Sequence, residues 1–133
     1  MKMHAVVPEE LKPYYTDWKM SPGLACGDFI FLTGFTGAEP NGDLPKDPDT
    51  QIRNAFRKVG LVLAKDGLSY GALVEMTSYH VGLRSHLETF KAIRAEFIEE
   101  PYPAWTAIEV NGFVQEGAIV EIKAVACRSP RLA

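Results

Sequence analysis

Two cysteines, three histidines and no long apolar run set the first limits on this 133-residue sequence. Cys26 and Cys127 lie far apart without metal-ligand spacing, so neither a zinc knuckle nor a redox pair is read from them; both are expected as buried structural thiols. His4, His80 and His86 have no nearby Cys or Glu to complete a ligand set, so no metal is expected. No stretch reaches the length of a membrane span, and the N-terminus shows no apolar leader. A cytoplasmic protein with no membrane partner is the expectation. An excess of basic charge is also lacking: 14 basic and 17 acidic residues leave a net charge of -3. Charges spread in this way offer no nucleic-acid footprint. Also missing are a nucleophile elbow, a P-loop, a kinase signature, internal repeats and low-complexity tracts.

What is present is ordinary globular composition, 47% hydrophobic and 23% charged, at a length that suits one domain over residues 1–133. Residues 1–23, broken by Pro8, Pro13 and Pro22, read as an irregular arm whose Tyr14, Tyr15 and Trp18 either staple it to the domain or line a pocket. Phe29-Ile30-Phe31-Leu32-Thr33 reads as a buried strand before Gly34. Asp47 and Pro48 open a helix as N-cap and first turn. Its stripe is Ile52, Phe56, Val59 and Leu63, with Gly67 as the stop and Arg53, Arg57 and Lys58 on or beside the solvated face. Residues 73–81 read as the next strand, and Ser85 to Glu88 as a capping box opening a second helix with the stripe Leu87, Phe90, Ile93 and Phe97. The order β-α-β-α-β-β implies an α+β domain with two helices on one side of a mixed sheet and the other side in need of a partner.

The last two strands, 103–110 and 119–126, read as a hairpin with a long loop. Alternation would place Trp105, Ala107 and Glu109 on one face of the first, and Glu121, Lys123 and Val125 on one face of the second. If Tyr79, Trp105 and Val125 point away from the helices they form an apolar patch of the kind that oligomers bury. Glu121, flanked by Val120 and Ile122, is the sharpest chemical candidate, since partial burial raises a carboxyl group toward the range useful for acid–base work. Pairing with Lys123 is its structural alternative. His80, at a strand end, is read as a structural histidine ahead of a proton-transfer group.

Several segments carry a resemblance: Gly27 to Gly34, the helix from Thr50 to Leu68, Met76-Thr77, Phe90 to Phe97, Pro103-Ala104, Ile108 to Val110 and Val120 to Ala126. Together they resemble the Rid family, the YjgF-type or L-PSP proteins, whose older names include endoribonuclease and translation inhibitor. The resemblance implies a chorismate-mutase-like fold and a homotrimeric barrel with small-molecule clefts between subunits. It also implies cofactor-free hydrolysis of imines or enamines in the deaminating members. Carried over by position, the family's last-strand glutamate is Glu121 and the glycine after the first core strand is Gly34. The arginine that clamps a substrate carboxylate falls on Trp105, a frequent cysteine on Ala107 and a second acid on Lys123. A tyrosine before Ser21 falls on Met20, so Tyr14, Tyr15 or Trp18 would replace it. The missing arginine leaves two expectations: a hydrolase or deaminase of other specificity, its substrate held by Lys123 or a neighbour's arginine, or a binding or regulatory trimer without deaminase activity. The acidic balance argues against an endoribonuclease.

Overall fold

The structure is a computed structural model and describes residues 2–129. Seven strands form one sheet: β1 Met3–Val6, β2 Gly23–Cys26, β3 Phe29–Leu32, β4 Phe35–Thr36, β5 Leu73–His80, β6 Ala104–Glu109 and β7 Val120–Cys127. Three helices accompany them: α1 Lys12–Thr16, α2 Pro48–Lys65 and α3 Leu83–Phe97. The strand order is β1-β2-β3-β7-β5-β6, and β4 continues the edge of β3 along β7. Among the described residues β5 and β6 pair in parallel and the other strand pairs are antiparallel.

Alternation along β7 drives Ile122, Ala124 and Ala126 into the core, where they meet Ile52, Phe56, Val59 and Val62 of α2 and Phe90 and Ile93 of α3. Both long helices therefore lie on one face, the α+β architecture expected from their single apolar stripes. Asp47 caps α2 through Thr50, accepting from its backbone N at 3.1 Å and its hydroxyl at 2.7 Å. Such a cap contributes about 1 kcal/mol. The opposite face of the sheet is bare and apolar: Phe29, Phe31 and Ile108 keep 45%, 46% and 41% of their surface exposed. None of the helices among the described residues is long and apolar enough to cross a membrane.

Four expectations change. The arm is not irregular, because its prolines flank elements instead of interrupting them: Pro8 precedes a 3₁₀ turn, Pro13 sits in the first turn of α1, and Pro22 precedes β2. The segment 103–126 is not a hairpin. β5 lies between β6 and β7, its Ser78 facing Ala107 on one side and Ile122 on the other. The return through α3 delivers β6 parallel to β5, and the ten-residue connection 110–119 is long enough to carry β7 past β5 to its other edge. The third change concerns α3, which starts at Leu83, ahead of the supposed capping box. Its cap is distant in sequence: Glu109 accepts from the backbone N of Gly82 at 2.9 Å and of Leu83 at 2.6 Å. Gly82 suits this entry because its φ of 81° is the left-handed region that other residues avoid. Finally, Lys58 is 2% exposed and belongs to the interior. The cysteines stand on β2 and β7 with β3 between them, about 9.5 Å apart at two strand spacings, too far for a disulfide.

Candidate functional site

A polar row runs down α2 beside its apolar stripe, and it anchors the segments that enclose a cavity. Gln51, Asn54 and Lys58 recur at helical spacing and are all buried. Gln51 donates to the carbonyls of Pro45 and Gly117 and accepts from the backbone N of Ile119. Asn54 donates to the carbonyl of Gly37 at 3.1 Å and to the Glu39 carboxylate at 3.0 Å. Lys58 Nζ donates to Tyr14 Oη at 3.1 Å. One side of the helix thus holds α1 and the loops around Gly37, Pro45 and Gly117, each satisfying backbone groups the others leave open.

Between those loops and the sheet lies a cavity of about 550 Å³ whose lining includes Tyr14, Trp18, Gly34, Glu39, Gln115 and Glu121. Glu121 faces Thr36 of β4 across the strand pair, just beyond the break at Gly34 that separates β3 from β4. Gly34 has a local reason: a Cβ there would stand 2.7 Å from Glu121 Oε2, so the carboxylate packs directly on the backbone. Glu121 is half-buried, and burial raises its carboxyl above the ordinary value while the nearby Lys58 charge pulls it back. Its carboxylate accepts no hydrogen bond from another described residue and is left for a ligand or water. Tyr14, held edge-on to Phe35 at 5.5 Å, is raised by burial and then by the Glu121 charge, so its phenol stays protonated.

The site residues expected from sequence divide. Glu121, Gly34 and Trp18 meet at this cavity. Tyr15 is turned to another hollow, beside Thr16, Lys19 and Ser21. Lys123 is exposed two residues along β7, reaching only the carbonyl of Leu32 at 3.4 Å. Trp105 and Ala107 lie on edge strand β6, away from the cavity within one chain. Trp105 does not join the bare face either: its indole N–H donates to Ser78 Oγ at 2.9 Å, and Phe90 and Arg94 lie against its ring. Sequence reasoning missed Lys58, Asn54 and Gln51. Their signal was present as polar residues repeating with the helix period next to a buried stripe.

A second polar cluster stands under α3. Ser78 and His80 are fully buried, His80 meeting Ser78 Oγ at 2.8 Å through one ring nitrogen and His86 at 3.0 Å through the other. Trp105 donates to one lone pair of Ser78 Oγ, which keeps a second lone pair and its own hydrogen, so the sense of the Ser78–His80 and His80–His86 bonds follows the His80 tautomer. Burial, then the His86 charge, pushes His80 down to about 4. Both ring nitrogens of His80 are thus taken up by protein partners, and the network reaches the surface through the half-buried His86. No group of three or more His, Cys, Asp or Glu among the described residues could hold a metal ion.

The fold has relatives among known proteins. Residues 13–128 match the family model described as Endoribonuclease L-PSP. The RutC family protein YjgH of Escherichia coli K12 is 30% identical over 123 residues, 92% of each chain. The solved structure of YjgH superposes with a TM-score of 0.88 at 27% identity, covering 98% of this chain and 100% of that one. The "Putative reactive intermediate deaminase TdcF" of the same organism is 27% identical over 111 residues, 80% of this chain and 84% of that protein. E. coli TdcF with bound serine superposes with a TM-score of 0.76 at 26% identity, covering 83% of this chain and 88% of that one. With the family model spanning most of the sequence and YjgH matching it nearly end to end, the chain belongs to the L-PSP (YjgF/Rid) family.

Proposed function

We propose that the chain is a Rid-like hydrolase that deaminates a small imine or enamine in a cleft completed by neighbouring copies of a homotrimer. The observation that carries this reading is Glu121, a half-buried carboxylate with raised proton affinity, open to a cavity and packed on a bare glycine backbone. Such a group takes a proton from water beside a C=N carbon and returns it to nitrogen. Trp18 and the bare apolar sheet face support the trimer, since an exposed row of Leu24, Phe29, Phe31 and Ile108 is what a second copy would cover. Lys123 lies on the covered face, while Trp105 and Ala107 point to the helix side of β6 and would meet a neighbour along the free edge of that strand.

The substrate differs from that of arginine-bearing relatives, because Trp105 has its single donor already engaged by Ser78. A substrate carboxylate finds its cation in Arg94. Its guanidinium rests 4.5 Å from the centre of the Trp105 ring, and its buried Nε has no hydrogen-bond partner among the described residues. A guanidinium resting on a ring keeps edge donors for a bidentate anion. The engaged Trp105 also favours a second reading, a binding or regulatory trimer that has no deaminase activity.

One experiment separates them. Imines with and without a carboxylate, including 2-aminoacrylate, are generated in situ and followed by semicarbazide trapping. The hydrolase accelerates loss of at least one imine and Glu121→Gln abolishes the acceleration; no acceleration with any of them leaves the binding reading. A monomer by light scattering at micromolar concentration would refute the trimer.

A further inference from the structure

Lys58 is 2% exposed, and the reading above gives it no part in the chemistry. An ammonium in the interior is strongly unfavourable unless something on the protein holds it. Its Nζ donates to Tyr14 Oη at 3.1 Å and stands 5.7 and 5.8 Å from the ring centres of Tyr14 and Phe35. Glu39, after β4, and Glu121, on β7, are the carboxylates near enough to favour its charge. Arg57 and Tyr70 line the hollow on its other side.

The sense of the bond to Tyr14 matters. An ammonium has three donors and no acceptor, so while Lys58 is charged the phenol oxygen must accept. The phenol hydrogen is then left for another acceptor, and Tyr14 lines the cavity that holds Glu121.

We propose that Lys58 is a positioning residue of this site: by occupying the Tyr14 oxygen from behind, it aims the phenol O–H into the cavity as a donor opposite the Glu121 acceptor. The inference rests on the reading of that cavity as a site of C=N hydrolysis. Glu121 takes a proton from water as the water oxygen bonds to the imine carbon. The π pair passes to nitrogen, which receives the proton from Glu121, and the Tyr14 O–H hydrogen-bonds the nitrogen while charge develops there. In the second half Glu121 takes the hydroxyl proton, C=O forms and the C–N bond breaks with its pair on nitrogen. That nitrogen takes the proton from Glu121 and leaves as ammonia. Tyr14 stays protonated throughout, so only its orientation is required. Lys58 fixes that orientation and supports the Glu121 carboxylate by charge. Burial pulls its ammonium down to about 8, so both effects fade above that pH.

The test uses the full chain with ¹³C-labelled glutamate carboxyls, Glu121 being assigned with Glu121→Gln. Lys58→Met keeps the stem and removes the charge, and the Glu121 titration midpoint should rise by about half a pH unit or more. An unmoved midpoint in the folded variant overturns the proposal whether or not the protein hydrolyses imines; Lys58→Gln carries the same readout if the methionine variant does not fold. In turnover, kcat should fall about tenfold or more with KM little changed, and the decline of rate above pH 8 should disappear. The double variant Tyr14→Phe/Lys58→Met should lose clearly less than the product of the two single losses. Additive losses would show that Lys58 does not act through Tyr14 and would also overturn the proposal. A Glu121 response in a protein that accelerates no imine would support the Lys58 arrangement while rejecting the deaminase reading.

Discussion

The protein buries two polar clusters of similar size, one around Glu121, Tyr14 and Lys58 and the other around Ser78, His80 and His86. Both contain titratable groups displaced from their ordinary values chiefly by burial. They differ in what the polar atoms face. In the histidine cluster both nitrogens of His80 have protein partners and Ser78 is held from two sides. In the other cluster the carboxylate of Glu121 looks into a void of about 550 Å³. A shifted proton affinity is therefore a poor guide to function by itself. The serine next to a histidine looks like a nucleophile with its base, but both are fully buried and no reactant reaches them.

The comparison breaks if both clusters respond alike to substitution. Glu121→Gln should lower imine hydrolysis by about a hundredfold or more in the trapping assay, the range for loss of a general base. Stability should hold or rise slightly, because the folded protein disfavours the charged form of Glu121 at neutral pH. His80→Ala should do the reverse. It removes a fully buried ring and leaves Ser78 and His86 short of a partner, a loss of about 4 kcal/mol in urea unfolding. Turnover per folded molecule should stay near that of the parent.

These two clusters were unequally legible in the sequence. The helical stripes, the Asp47 cap and the alternation in residues 120–126 are local patterns, and they give α2 and the inward face of β7 directly. Glu121 stood out for the same reason, a lone acid between apolar neighbours on a strand. Of the neighbours of Glu121, Tyr14 is legible only as one of three aromatics that could line a pocket, and Lys58 is hidden because a lysine on an amphipathic helix is normally solvated. Only the tertiary approach of Tyr14 turns Lys58 inward. The strand order was hidden too, since β5 is eight residues long with pairing groups on both edges, and nothing in residues 103–126 says that it lies between them. The Glu109 cap on α3 depends on the same order, because it requires β6 to run beside β5.

Acid should act on the two clusters in opposite directions. His80 is held near 4 in the folded protein against an ordinary 6.5. The unfolded chain therefore binds the extra proton first as pH falls. The stability contributed by neutral His80 is complete above about pH 6.5, declines as pH falls toward 4 and is lost below that, a change of about 3 kcal/mol at most. Glu121 has a raised folded value, so its protonation in acid stabilises the fold and partly offsets that loss. Urea midpoints measured across this window should fall with acid in the parent. They should fall less steeply in His80→Ala and more steeply in Glu121→Gln, which has no carboxyl to protonate.

The finest distinction concerns geometry without charge. In Gly34→Ala the added carbon would meet Glu121 Oε2 at 2.7 Å and Cδ at 2.8 Å, closer than side-chain atoms normally approach. The nearest give is in the Glu121 side chain, which can swing into the cavity, so the main chain need not move. The expected outcome is a modest stability change of under about 1 kcal/mol with about a tenfold loss of turnover. A variant that loses stability by several kcal/mol would mean that the carboxylate is fixed as rigidly as His80. The contrast between an open and a closed cluster would then fail at its most local point.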